Sequence, residues 1–179
     1  MHAMKTGGDQ TGSGRRDLII GQLSYLIDEI AALGEMLGSF PEGVLTARPY
    51  EGQPSILDLL AMLAERERTI RIPNVETFVA SDDGVLLEAP PLSAAAARAS
   101  KDAVSRALHD VATARSRLVD LVRECGDSVW ERRASLDDNE VTLEEYLLGI
   151  IQQDVEVFRV AAQRVYESRP VGSPGFTAR

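Results

Sequence analysis

Three charged residues fall on faces that are otherwise apolar, and they are the strongest candidates for chemistry in this sequence. When each helical segment is plotted at about 100° per residue, Glu67, Arg115 and Asp154 each lie near the centre of an apolar stripe. A lone buried charge costs several kcal/mol, so these side chains are expected to pair with one another or to reach water.

Three interpretations of these charges are open. In the first, Arg115 bridges Glu67 or Asp154 in an interior ion pair that fixes the register of the helices. In the second, the faces are less buried than the pattern suggests, and the long side chains extend to solvent. In the third, Glu67 and Asp154 bind a hard cation or act as an acid–base pair. The third requires close carboxylates without a cation between them, and Arg115 argues against it.

Other residue types that could do chemistry give weaker signals. Cys125 is the only cysteine, which excludes an intramolecular disulfide and fits a reducing compartment; we interpret it as an apolar residue at a helix end. Trp130 and Tyr146 are expected to be packing residues. The sequence contains no glycine-rich phosphate loop, no Ser–His–Asp arrangement and no CxxC motif.

Composition places the chain among single-domain globular proteins. Its 179 residues are 44% hydrophobic but only 5% aromatic, and its net charge is -9. Nucleic acid and anionic lipid surfaces are polyanions, so an acidic chain is not expected to bind either of them. No apolar run approaches the roughly 20 residues that cross a bilayer. These features predict a soluble, cytoplasmic protein without a cofactor.

Apolar residues recur at helical spacing in four long segments, which predicts an all-α fold. Helices are expected at Arg15–Leu37, Ser55–Pro73, Ser93–Arg123 and Thr142–Ser168. Ser55 with Asp58, and Thr142 with Glu145, have the spacing of a capping box, and Pro73 is expected to end or kink the second helix. We detect no strand signal. The prediction is a four-helix bundle over residues 15–168, with long loops between helices 1 and 2, 2 and 3, and 3 and 4, and disordered tails at 1–14 and 169–179.

Three short stretches make the chain resemble the DinB-like (YfiT-like) superfamily of four-helix bundles. "RPYEGQPS" at 48–55 is similar to the family's "R-P-x-x-G-x-W-S" loop, with Gln53-Pro54 where the tryptophan would precede the serine. "MLAERE" at 62–67 matches a helix 2 motif "HLA-x-x-E". "QDVEV" at 153–157 matches a helix 4 motif that begins His-Asp and ends in a second histidine. The resemblance covers about residues 15–168.

The resemblance implies a divalent metal bound by three histidines, and here those positions are Met62, Gln153 and Val157. A thioether is a poor ligand for Zn²⁺ or Ni²⁺, an amide oxygen is a weak one, and valine offers none. Neither remaining histidine can substitute, because His2 lies in the predicted tail and His109 lies off the inner face of helix 3. We therefore predict that the family's metal site is missing.

Two functions remain in competition. The preferred one is a non-catalytic, metal-free binding or interaction protein, whose bundle cavity is filled or holds a small apolar ligand. It is expected to form a homodimer through apolar residues on the far side of helix 1, such as Leu18 and Met36. The alternative is a metal-dependent hydrolase or a thiol-dependent transferase or isomerase, with a non-standard site around Glu67, Asp154 and Glu156. A role in DNA damage would rest on the family name alone.

Overall fold

Four long helical stretches form the body of the molecule, as the sequence predicts. The computed structural model describes residues 9–48, 53–81, 83–88 and 100–167. Its elements, in chain order, are α1 Asp9–Gly38, α2 Glu42–Thr46, α3 Ile56–Arg66, a π-helical segment Glu67–Arg71, α4 Ile72–Ala80, β1 Asp83–Val85, α5 Lys101–Glu124, α6 Asp127–Trp130, β2 Arg133–Leu136, β3 Asn139–Thr142 and α7 Leu143–Glu167.

The core lies along the inner faces of these helices. Completely buried apolar side chains come from α1, α4, α5 and α7, and include Leu23, Val75, Phe78, Val111, Leu118, Val122, Leu143 and Leu147. Each such side chain contributes roughly 1.5–3 kcal/mol by leaving water. Trp130, as predicted, is a packing residue in the same core.

Capping boxes fix where two of the long helices begin. The amide of Asp58 donates to Ser55 Oγ at 3.1 Å, and the amide of Ser55 donates to Asp58 Oδ2 at 2.9 Å. Thr142 and Glu145 exchange the equivalent bonds at 2.8 and 3.2 Å before α7. Both predicted boxes are confirmed. Arg48 adds an ion pair to Asp58. Burial opposes the ionisation of Asp58, but the bonds from Arg48 and Ser55 outweigh it and lower the pKa of Asp58.

The sequence predicts that Pro73 ends or kinks the second helical stretch, and the structure shows a local π-helical distortion there rather than an end. The helix continues to Ala80, and the π-helical segment ends at Arg71, two residues before the proline. In this wide turn the amide of Ile72 donates to the carbonyl of Glu67, five residues earlier. A proline has no amide hydrogen and clashes with the carbonyl four residues before it, and a local π turn lets the helix continue past such a site.

The first helix begins earlier in the chain than the sequence predicts. α1 begins at Asp9 rather than Arg15, although Gly12 and Gly14 disfavour helix, because extending an existing helix is far easier than nucleating one. The rest of the predicted tails, and the predicted start of helix 3 at Ser93, lie outside the described residues. The described part of that helix starts at Lys101.

The expectation of no strands is wrong. β1 pairs in parallel with β2, from Asp83 opposite Arg133 to Val85 opposite Ser135. β2 pairs antiparallel with β3. Asp137 and Asp138, which join β2 and β3, have positive φ angles of 50° and 61°, as two-residue hairpin turns require. The long loop predicted between helices 3 and 4 therefore contains a hairpin.

Candidate functional site

Four charged side chains meet in the interior of the bundle, and we call them the charge ring: Glu67, Arg71, Arg115 and Asp154. Glu67 and Arg71 are the first and last residues of the π-helical segment, whereas Arg115 lies on α5 and Asp154 on α7. None of the four is more than 2% exposed. The ring therefore ties together three of the four long helical stretches.

Each carboxylate in the ring contacts both guanidiniums. Arg71 Nη1 donates to Glu67 Oε1 and to Asp154 Oδ1, both at 2.7 Å. Arg115 Nη2 donates to Asp154 Oδ2 at 2.7 Å and also to Glu67 Oε1. The formal charges cancel, since two carboxylates meet two guanidiniums. Burial alone would lower the pKa of Arg71, but Asp154 and Glu67 outweigh it and raise that pKa.

Two buried polar atoms of the charge ring lack a hydrogen-bond partner. Glu67 Oε2 and Arg115 Nη1 are buried and have no hydrogen-bond partner within the described parts of the chain. Leaving such atoms unpaired costs free energy. A carboxylate that already accepts from two guanidiniums is a poor ligand for a cation and a poor general base, so the ring is suited to holding helices in register.

Arg71 is the ring member that sequence reasoning missed. The structure brings the predicted residues Glu67, Arg115 and Asp154 together, and Arg71 completes their contacts. Arg71 lies four residues after Glu67, a spacing that places both on one side of a helix. That spacing is the signal for Arg71 that the sequence contains.

The three positions where the resemblance implies metal-binding histidines hold side chains with different contacts. Gln153 Oε1 accepts from Arg71 Nη2 at 3.2 Å. Val157 is half-buried and packs against a small apolar cluster that includes Leu63, and Met62 is half-buried on α3. A thioether, an amide next to a guanidinium and a hydrocarbon do not fit a three-histidine centre. Among the residues that the structure describes, no group of three or more His, Cys, Asp or Glu side chains could hold a metal ion.

Two other residues that could do chemistry are not members of the ring. His109 is exposed on α5. Cys125 follows α5, and its thiol donates to the carbonyl of Leu121 at 3.3 Å. Burial raises the pKa of the Cys125 thiol, so it stays protonated and unreactive near neutral pH.

A cavity of about 290 Å³ adjoins the charge ring. Its walls come from the π-helical segment, the residues after β1, the β2–β3 hairpin and α7. Arg71 and Gln153 belong to its lining, so Arg71 connects the ring to the cavity. Apolar side chains form much of the remaining wall, and they are Ile70, Leu87, Leu136, Val141 and Ile150.

Tyr146 lies in the cavity wall and is held by Asn74. Asn74 Nδ2 donates to the Tyr146 hydroxyl at 2.9 Å, and the ring of Tyr146 packs against Phe78 with centroids 5.9 Å apart. Burial raises the pKa of Tyr146 to about 12. The hydroxyl therefore keeps its hydrogen at neutral pH. Tyr146 is thus both a packing residue, as predicted, and a polar group of the cavity.

A second concave surface runs between α1 and α7. This groove has a volume of about 640 Å³, and its lining includes Leu18, Tyr25 and Val155. These three side chains are 61%, 60% and 59% exposed, which is unusual for adjacent large apolar residues. Asp17 and Glu29 also belong to its lining.

The fold and the site together define a four-helix bundle whose interior polar centre is an ion-pair ring. No protein-family model matches the sequence, and no curated protein matches it. The solved structure of YfiT from Bacillus subtilis is similar, with a TM-score of 0.67, 12% identity and 93% of each chain covered. YfiT is described as a probable metal-dependent hydrolase with an unusual four-helix bundle topology. At this identity the likeness shows the fold, and the predicted resemblance is confirmed at that level. No helix in the described ranges is long and apolar enough to span a membrane.

Proposed function

We propose that the protein is a non-catalytic binding protein that works without a metal ion. The observation that carries the proposal is the charge ring, in which Glu67 and Asp154 each accept from both Arg71 and Arg115. Carboxylates neutralised in this way have little capacity left for a cation or a substrate proton. The cavity next to the ring supplies a place for a ligand.

The side chains at Met62, Gln153 and Val157 support the same proposal. They replace nitrogen ligands by groups with low affinity for first-row metals. In addition, the guanidinium that bonds to Gln153 would repel a divalent cation at that position. The proposal therefore has support both from the missing histidines and from a positive charge beside one of their positions.

Elemental analysis of the full chain, purified without added metal, tests this proposal. We expect much less than one equivalent of Zn, Ni or Mn per chain. For comparison, the variant Met62→His/Gln153→His/Val157→His restores the family's donors in the same bundle. It is expected to bind more metal than the unmodified protein but less than one equivalent, because the guanidinium of Arg71 still lies beside position 153. One equivalent of any of these metals in the unmodified protein would refute the proposal.

The alternative is a metal-dependent hydrolase or a thiol-dependent transferase or isomerase with a non-standard site. What favours it is the description of YfiT, which has the same fold. The site would use Glu67 and Asp154, with Glu156 nearby on α7, where Glu156 now pairs with Arg159 at 2.6 Å. This alternative would be established, with its ligands in the ring, if the unmodified protein holds bound metal, Asp154→Asn loses it and Glu156→Gln retains it.

We also propose that the protein is a homodimer formed through α1. Leu18 is 61% exposed on this helix, where it lines the groove with Tyr25 and Val155, and Met36 is 38% exposed further along it. A contiguous apolar surface such as that groove marks an interaction surface. Sedimentation at micromolar concentration is expected to give the dimer mass, and Leu18→Glu is expected to give monomer. Val85→Glu is the control, since Val85 is exposed on β1 rather than on α1. A monomer in the unmodified protein would exclude the dimer.

A cytoplasmic location is part of the proposal and rests on Cys125 being the only cysteine in the sequence. A chain without a disulfide is suited to a reducing compartment.

A further inference from the structure

The cavity beside the charge ring presents hydrogen-bond donors on its inner wall. We propose that it binds a small organic monocarboxylate, with the carboxylate held by Arg71 and Tyr146 and the apolar body against the neighbouring wall. This inference rests on the proposed function of a binding protein and specifies its ligand. Three features carry it, namely the unused donor capacity of Arg71, the orientation of the Tyr146 hydroxyl and the distribution of charge around the cavity.

Arg71 belongs to the cavity lining and has donor capacity left. Its Nη1 uses both hydrogens, one on Glu67 and one on Asp154. Its Nη2 carries two hydrogens, and the contact found for it within the described residues is the one to Gln153 Oε1 at 3.2 Å. A ligand carboxylate could accept from the other hydrogen in a charge-assisted bond, which is stronger than a bond between neutral groups.

Tyr146 contributes a donor because Asn74 can act in only one orientation. The amide of Leu87 donates to Asn74 Oδ1 at 2.7 Å, and Asn74 Nδ2 donates to the carbonyl of Leu87 at 3.0 Å. These bonds fix the Asn74 amide, so Nδ2 must also be the donor in its contact with Tyr146. The Tyr146 oxygen is then an acceptor, and its own hydrogen is left for another acceptor in the cavity.

The charges around the cavity favour one anionic group over two. Arg66 and Arg71 belong to the lining on the helical side. Glu88 and Asp137 belong to the opposite side and Glu145 to the first turn of α7, and all three are exposed to solvent. The carboxylate of Glu145 accepts from the amide and the hydroxyl of Thr142. Hydrogen bonding and charge repulsion from Asp137 raise the pKa of Glu88, so these two carboxyl groups are close together. A second negative charge at the outer end of a ligand would meet them and be repelled.

The size of the cavity limits the ligand. A volume of about 290 Å³ lies at the small end of ligand pockets, which begin at about 300 Å³. It suits a compact acid with a ring or a short branched chain, packed against Ile70, Leu87 and Ile150.

Calorimetric titration of the metal-free full chain tests the inference, with phenylacetate and hexanoate as probes. We expect at least one of them to bind saturably in the millimolar range or tighter. Phenylacetamide, which has the shape of phenylacetate without its charge, is expected to bind at least about tenfold more weakly, as the loss of a charge-assisted bond implies. The dianion para-phenylenediacetate is expected to bind more weakly than phenylacetate.

Two variants locate the binding. Tyr146→Phe removes one hydroxyl and is expected to weaken carboxylate binding by about tenfold or more. Gly149 lies in the cavity wall on α7, and a Cβ there would have no neighbour within 4 Å. Gly149→Leu is therefore expected to fill the cavity and abolish binding, whereas Gly149→Ala, the matched control, retains it.

Three results would overturn the inference: no saturable binding of either monocarboxylate, equal affinity for phenylacetamide, or full affinity in Gly149→Leu. The proposed function fails separately, through bound metal in the purified protein. If Tyr146→Phe does not fold, the comparison of phenylacetate with phenylacetamide on the unmodified protein still decides the question.

Discussion

Replacing Arg115 by methionine removes one of the two guanidiniums of the charge ring and leaves two carboxylates on Arg71 alone. The substitution keeps an unbranched chain of similar length, so most of the packing of α5 is retained. It deletes the contacts of Arg115 to Glu67 and Asp154. The site is almost completely buried, and solvent cannot compensate for the missing charge.

The expected loss of stability is large. Removing one partner of a buried ion pair costs roughly 3–5 kcal/mol. For a chain of this length, 1 kcal/mol corresponds to a change in Tm of roughly 2–4 °C. Arg115→Met is therefore expected to lower Tm by roughly 6–20 °C. Arg115 Nη1 makes no hydrogen bond within the described residues, so the substitution loses nothing there. The decrease in Tm is therefore expected in the lower part of that range.

A double-mutant cycle separates the ion pair from other effects. Glu67→Gln/Arg115→Met restores neutrality, because it leaves Arg71 facing Asp154. Its cost is expected to be smaller than the sum of the two single substitutions by about 0.5–3 kcal/mol, the range for residues in direct contact. Urea unfolding followed by the fluorescence of Trp130, which is buried in the core, gives the free energies.

Arg159→Met is the control for this cycle. Arg159 pairs with Glu156 on the surface of α7, and an exposed pair contributes about 0–1 kcal/mol. If Arg115→Met costs no more than this control, or if the double variant is additive, then the ring does not stabilise the bundle and the reasoning is wrong.

Three further outcomes follow from individual contacts. The pKa of Asp58 is lowered in the folded protein, so ionised Asp58 contributes its full stabilisation at pH values above the ordinary aspartate pKa of about 3.9. This stabilisation is lost as the pH falls through the pKa of Asp58 in the folded protein, and Asp58→Asn should remove that part of the acid dependence of the unfolding free energy in urea titrations. Because the pKa of Tyr146 is raised, its neutral form stabilises the fold below pH about 10, and this stabilisation is lost as the pH rises towards about 12. The unfolding free energy of Tyr146→Phe should therefore fall less steeply between these pH values than that of the unmodified protein. A Cβ on Gly84 would overlap the methyl group of Thr77, so Gly84→Ala should destabilise by roughly 1–3 kcal/mol in thermal melts, and adding Thr77→Ser should recover most of the loss.

Periodicity predicted the helical body of the fold well, because burial of one helix face repeats at a spacing that a sequence records directly. Apolar residues that recur at helical spacing along α1 are almost completely buried, and they include Ile19, Leu23, Ile30 and Leu37. The capping residues were predictable for a similar reason, since each box depends on two side chains three residues apart.

The small sheet could not be predicted in the same way. Its strands contain three or four residues each, which is too short to show alternation between apolar and polar positions. The turn at Asp137 and Asp138 also lacks the glycine that usually marks a two-residue hairpin. Tertiary contacts, rather than local preference, determine this part of the structure.

The candidate site was predictable in part. Charges on apolar faces identified Glu67, Arg115 and Asp154 as residues that need partners. The cavity was not predictable, because its wall joins the β2–β3 hairpin to α7 and the π-helical segment, and the hairpin itself was not expected. The orientation of the Tyr146 hydroxyl depends on Asn74 and Leu87, and no spacing in the sequence records such a contact.

The π-helical segment also determines where the chain can lose a residue. A wide turn holds one more residue than an α-helical turn, so deleting Thr69 would convert it to ordinary helix while α3 and α4 keep their facing. The same loss at Ala112, within α5, would rotate everything after it by about 100° and carry Leu118 and Val122 out of the core. The protein is therefore expected to tolerate the loss of one residue at the π turn, although the spacing between Glu67 and Arg71 changes. The loss of one residue in α5 is expected to unfold it.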